Sequence, residues 1–202
     1  VTIPSLVPMP APPAGPAADG GGVPAAAATG AGGFSVARLI DSLHQQRSAD
    51  WAVSVRVGSE RVRIGKDPLK FRLRSDRDGY VYLLLQGTDR AHFYQLFPNG
   101  LDRNNRIRAN VDMALPRSNW EMIAGGPAGV NRLIALVTPS PRNFTAAGLN
   151  TGQPFSEFDL QTAGRVFADK GSIPFAGEPV GCRLDAAACS AYGAALFEIE
   201  EY

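Results

Sequence analysis

Across 202 residues there are only two histidines and two cysteines, too few for a His- and Cys-rich metal site. A dominant charge is lacking too. The 20 Lys and Arg stand against 19 Asp and Glu, for a formal charge of +1, which excludes both a domain that holds polyanions by bulk charge and an acidic disordered chain. No apolar run approaches the ~20 residues of a membrane-spanning helix, and no basic start leads into an apolar stretch as a signal peptide would. Work outside the cytoplasm would therefore require a longer precursor. The chain carries no Gly-rich loop with its lysine, no His-Arg-Asp and no Asp-Phe-Gly, so the phosphoryl-transfer set of a protein kinase is missing. What is present is 45% hydrophobic residues, enough for one folded domain with an appendage.

The appendage is residues 1–33. They hold 7 of the 16 prolines, with 7 glycines, 9 alanines, Asp19 as their one charge and no Lys or Arg. Such a composition cannot bury enough surface to offset the entropy of ordering. A linker or tail is expected, spanning ~30 Å as a coil or ~100 Å in the polyproline II form; an ordinary disordered terminus is the alternative. A single domain is expected over 34–202.

From Phe34 the patterning becomes structural. Ser35 can cap a helix whose Val36, Leu39, Ile40 and Leu43 follow the i, i+3, i+4, i+7 rule, with Phe34 placed to pack back on it. At Trp51 the period changes to two: Trp51, Val53, Val55 and Val57 share one face, and Ser54 and Arg56 the other. Val62 and Ile64 continue as a second strand. Leu69, Phe71 and Leu73 form the inner face of a third, with Arg72 and Arg74 facing water. Tyr80 to Gln86 is apolar on both faces, as suits a central strand covered on both sides. Ala91 to Phe97 follows a hairpin and stops at Pro98, which cannot donate to a ladder. Further strands are expected at 106–109, 112–115, 121–124 and 131–138. Short strands every 8 to 12 residues predict a mainly β chain: an antiparallel β-sandwich, immunoglobulin-like or related, with a short N-terminal helix and a helical or loop C-terminal excursion.

Few groups invite a chemical reading. His92 could act as a ligand or base, but no acid or cysteine stands at a supporting spacing, and His44 fares no better. Asp102, Asn104 and Asp112 offer oxygens to a cation, yet lack the glycine and terminal glutamate of an EF-hand loop; an Asn- and Asp-rich turn is the plainer reading. No cofactor, metal or catalytic residue is assigned. Cys182 and Cys189 enclose six residues with no histidine nearby, which favours a disulfide and hence an oxidising compartment, two free buried thiols being the alternative. Binding groups in a sandwich collect in end loops, which here present Arg103, Asn104, Arg106, Arg117, Arg142 and Phe144 as candidates for a protein partner or anionic glycan. Arg142 and Asn143 could instead tie down their own loop through backbone carbonyls.

The order of several short motifs is distinctive. Gly79-Tyr80-Val81-Tyr82, Leu96-Phe97-Pro98-Asn99, Leu115-Pro116, Trp120, Gly126-Pro127-Ala128-Gly129 and Pro141-Arg142-Asn143-Phe144 resemble a bacterial domain family of unknown function. Cys182, Cys189 and Tyr192-Gly193-Ala194-Ala195 match a C-terminal extension of proteobacterial members, so the resemblance covers roughly 50–202. It implies a domain that often ends a membrane-bound serine/threonine protein kinase, after a cytoplasmic catalytic domain, one transmembrane helix and a Pro/Ala-rich spacer. Other members are joined to caspase-like peptidases, occur in envelope proteins, or lie near type VI secretion genes.

Two classes of function follow as expectations. The first is a noncatalytic extracytoplasmic sensor or protein-interaction domain, periplasmic and tethered through an upstream membrane segment, with a protein or envelope glycan as partner and neither nucleic acid nor a membrane span of its own. The second is an envelope or secretion-assembly domain. A less favoured variant, an envelope hydrolase, would need an acid or base pair such as Glu157 or Asp159 with His92. Oligomeric state is not legible.

Overall fold

The computed structural model describes residues 34–202; the expected linker over 1–33 lies outside the described residues. Helix α1 (Val36–Gln45) starts where Ser35 accepts a hydrogen bond from the Arg38 N–H at 3.2 Å, and its Val36, Leu39, Ile40 and Leu43 are buried, as their spacing predicts. Phe34 reaches across to the Phe167 ring, 5.7 Å away.

Strands then dominate. In chain order they are β1 (Val53–Val57), β2 (Arg61–Val62), β3 (Phe71–Ser75), β4 (Gly79–Gln86), β5 (Phe93–Phe97), β6 (Arg106–Ile107), β7 (Met113–Leu115) and β8 (Gly129–Thr138). After them come β9 (Arg142–Asn143), β10 (Leu149–Asn150), β11 (Ser156–Phe158), helix α2 (Leu160–Lys170), β12 (Glu178–Pro179), helix α3 (Ala186–Ser190) and β13 (Gly193–Glu201). The larger sheet has the order β10-β11-β5-β4-β8-β13-β2, with β6 also on β4; the smaller is β1-β3-β7; β9 and β12 pair separately. All pairings are antiparallel except β13 with β2.

The two sheets stack as a sandwich, and the helices cover the other face of the larger one. Between the sheets lie Leu73, Val81, Leu83, Leu133, Ala135, Val137 and Ile199. Under the helices lie Tyr82, Leu84, Ile134 and Leu136 with Leu39, Ile40 and Leu43 of α1. This explains the two-faced apolar run of β4: odd positions serve one core and even positions the other. Each fully buried leucine there contributes about 1.5 to 3 kcal/mol. Gly79 is required by space, since a Cβ would lie 2.7 Å from both the Thr138 carbonyl oxygen and Val137 Cγ1.

Three expectations need correction. Residues 121–124 form no continuous strand, only isolated bridge positions at Glu121 and Ile123, the latter opposite Pro68; their backbone is engaged by the loop before β3, with Leu69 N–H donating to the Met122 carbonyl and Ala124 N–H to that of Asp67. The second strand stops at Val62, and it runs parallel to β13 because the last residues of the chain take up its edge; Ile64 N–H donates to the Tyr202 carbonyl. The C-terminal segment is not an excursion beyond Tyr192. Residues Gly193-Ala194-Ala195 begin β13, which pairs with β8 along its nine residues. The excursion is confined to 160–191, where Cys182 and Cys189 are bonded with their Cα atoms 5.9 Å apart. Among the described residues no helix is long and apolar enough to cross a membrane.

Candidate functional site

Burial withdraws two of the six expected partner-binding residues. Arg142 is 9% exposed, and its guanidinium donates to the carbonyls of Gly177 (3.1 Å), Cys189 (2.7 Å) and Ala191 (2.9 Å), while its N–H donates to Tyr82 Oη at 2.7 Å. Burial lowers the guanidinium pKa from its ordinary value. Phe144 is 3% exposed, its ring 5.0 Å from that of Tyr82. The physical reason is the donor count: only a guanidinium has enough N–H groups in a fixed fork to satisfy three buried carbonyls. Arg142 therefore clamps the C-terminal excursion to the sandwich rather than tying down its own loop, while Asn143 does stay local but as an acceptor, its Oδ1 taking the Thr145 N–H at 2.8 Å.

The other four residues lie near one another, and Arg106 and Arg117 line one shallow recess. Arg117 is engaged by Asp102 Oδ1 at 2.6 Å and the Asn104 carbonyl at 2.7 Å, over the Phe97 ring. Arg106 lies over the Tyr80 ring, 5.6 Å from its centroid. Arg103 and Asn104 are exposed. Asp102, buried and also accepting from Trp120 Nε1 at 3.3 Å, is a structural acceptor, and Asp112 pairs with Arg74 at 3.3 Å. Among the described residues no group of three or more His, Cys, Asp or Glu could hold a metal ion.

His92 has the partner that spacing did not reveal. Its Nδ1 lies 2.6 Å from Asp89 Oδ2, its Nε2 3.9 Å from Glu157 Oε1, and its ring stacks on Tyr94. Burial works to raise the Asp89 pKa, but hydrogen bonds from Ala91 N–H and His92 outweigh it and the net shift is downward; burial and the two carboxylates push Tyr94 up to about 12. The recess beside this group measures about 70 Å³, far below the ~300 to 1,000 Å³ of typical ligand pockets. Asp159 does not face His92's role at all: it caps α2, accepting from Thr162 N–H at 2.7 Å.

A larger concavity lies on the outer face of the small sheet. A groove of about 610 Å³ is lined by Arg56, Lys70 and Arg72, by Ala114 to Ser118, and by Trp120, with Glu121 as its one carboxylate. Antiparallel register places Arg56 directly opposite Arg72, and Arg72 directly opposite Ala114. Arg56, Lys70 and Arg72 are exposed and have no ion-pair partner among the described residues. Like charges directly across a ladder oppose strand pairing, so the row costs stability unless an anion lies over it.

Alternation in the sequence had placed Arg72 and Arg56 on the wet face, but not beside each other. Register decided that. Residues 61–141 match the family model of a domain of unknown function, DUF4384. The match runs from β2 through β8, narrower than the resemblance over 50–202, and takes in Lys70, Arg72 and Arg117 of the groove but neither Arg56 nor β13. No curated protein matches the chain.

Proposed function

We propose that this chain is a noncatalytic recognition domain that works outside the cytoplasm and takes an acidic protein partner in the groove on the small sheet. The observation that carries it is the cross-strand pair Arg56 and Arg72 with Lys70 beside it, three cations without an ion-pair partner among the described residues, in a concavity of ligand size. The disulfide supports an oxidising compartment. Following the resemblance, the domain is the extracytoplasmic C-terminal region of a bacterial membrane serine/threonine kinase, and the groove is where it senses its partner. The test is titration of the domain with a fluorescent oligoglutamate peptide. Binding should weaken between about 20 mM and about 150 mM salt, as the Debye length shortens, and fall by about tenfold in the Arg56→Ser, Arg72→Ser double variant. Equal affinity of wild type and variant would place recognition elsewhere.

A further inference from the structure

Strand β1 ends the small sheet, and its outer edge is open among the described residues. Gly58 N–H donates to the Lys70 carbonyl and Asp76 N–H to the Ala52 carbonyl, so residues 52, 54, 56 and 58 exchange bonds with β3. The intervening Val53, Val55 and Val57 then turn their N–H and C=O groups away from β3, where no strand among the described residues pairs with them. A cleft of about 870 Å³ runs along this edge, and Val55, Val57, Val130, Leu196 and Phe197 supply its apolar lining. Its rim charges largely cancel: Arg61 pairs with Glu200 and Glu198 with Arg132.

Resting on the proposal that the basic groove receives an acidic protein, we propose that the occupant is an extended peptide added to β1 as a fourth strand, with alternating acidic and apolar side chains. The edge supplies only main-chain donors and acceptors, which an extended backbone satisfies. A residue opposite Arg56 in the added strand occupies a non-hydrogen-bonded pair, where side chains approach most closely. A carboxylate there continues the row as acid, Arg56, Arg72. Its neighbours on the strand point the other way, into the cleft against Leu196 and Phe197. A lone charge on an edge strand discourages pairing, but a second arginine directly across from it adds repulsion and needs an anion. Glu60 at the Gly58 end of the cleft disfavours a carboxylate there and sets the acids toward Arg56.

The experiment compares three synthetic peptides by calorimetry and by amide exchange of the full chain: one alternating valine and glutamate, one of the same composition in two blocks, and the alternating one N-methylated at every second amide. The alternating peptide should bind about tenfold more tightly than the block peptide, N-methylation should abolish the difference, and the Val53, Val55 and Val57 amides should exchange freely alone and slowly with peptide. Val55→Pro, which removes an unpaired donor, should abolish binding; since the N-methylated peptide leaves the protein unaltered, the conclusion does not depend on that variant folding. Equal, Arg56-dependent binding of alternating and block peptides overturns strand addition while leaving the acidic partner standing. Binding of neither overturns both. Protection of the three valine amides before peptide is added, or a dimer in sedimentation, means that this chain already fills its own edge and overturns the proposal. So does peptide-induced protection of Leu196 and Glu198 in their place.

Discussion

Replacing Arg142 separates a clamp from a binding residue. In the native structure its guanidinium serves the carbonyls of Gly177, Cys189 and Ala191, from a side chain that is almost wholly buried. Arg142→Ala removes three charge-assisted bonds and leaves three carbonyls to find water, at ~1 to 3 kcal/mol for each acceptor that stays dry. Allowing partial hydration of the cavity, the loss should be about 3 to 5 kcal/mol, a fall in Tm of roughly 10 °C for a domain of this size. Arg142→Lys should recover less than half, because a compact ammonium cannot fork across three separated acceptors. Arg103→Ser, on an exposed side chain, should stay within about 0.5 kcal/mol of wild type. Urea denaturation followed by tryptophan fluorescence reads all three. A loss below about 1 kcal/mol in Arg142→Ala would refute the reasoning, since it would mean that the carbonyls are already hydrated and the guanidinium is replaceable.

Other consequences are equally direct. Gly79→Ala should destabilise by about 1 to 3 kcal/mol, because its Cβ meets the Thr138 carbonyl and Val137 at 2.7 Å; an unchanged denaturation midpoint would show that β4 and β8 can part. Serine at both Cys182 and Cys189 should cost about 2 to 3 kcal/mol on the chain-entropy account of so short a loop, and the same loss should appear in wild type on adding reductant; insensitivity to reductant would leave the bond without a stabilising role. Tyr192, whose hydroxyl donates to the Leu43 carbonyl at 2.9 Å, is pushed by burial up to about 12. The folded state thus favours the neutral phenol. That stabilisation is complete below the unfolded value near pH 10 and is lost as pH rises through about 12. Tyr192→Phe should start about 1 kcal/mol less stable at neutral pH but decline less steeply above pH 10, as measured by urea titrations across that range; parallel declines would sink the assignment.

Much of the architecture was legible along the chain because its signals are local. The spacing of Val36, Leu39, Ile40 and Leu43 determines α1, and the alternation through Phe71, Arg72, Leu73 and Arg74 determines which side of β3 is wet. The apolar run at Tyr80 to Gln86 marks the central strand, since only a strand covered on both faces tolerates it. β13 escaped notice for the converse reason: Gly193, Ala194 and Ala195 have little β preference, and they are held there by β8 and by close packing on Trp51 and Val53.

The sites divide along the same line. Residue type and short spacing were enough to favour a bond between Cys182 and Cys189. They could not tell that Asp89 reaches His92 or that Arg142 turns inward, because both depend on where a loop returns in space. Nor could they bring Arg56 beside Arg72. Sixteen positions of chain separate the two, and only the register of β1 on β3 puts them in one row. The sequence by itself determined what β3 and β4 bury, because periodicity is a property of the backbone. Tertiary structure alone decided which charges became neighbours and which edge stayed open, because pairing order and register arise between strands distant in sequence.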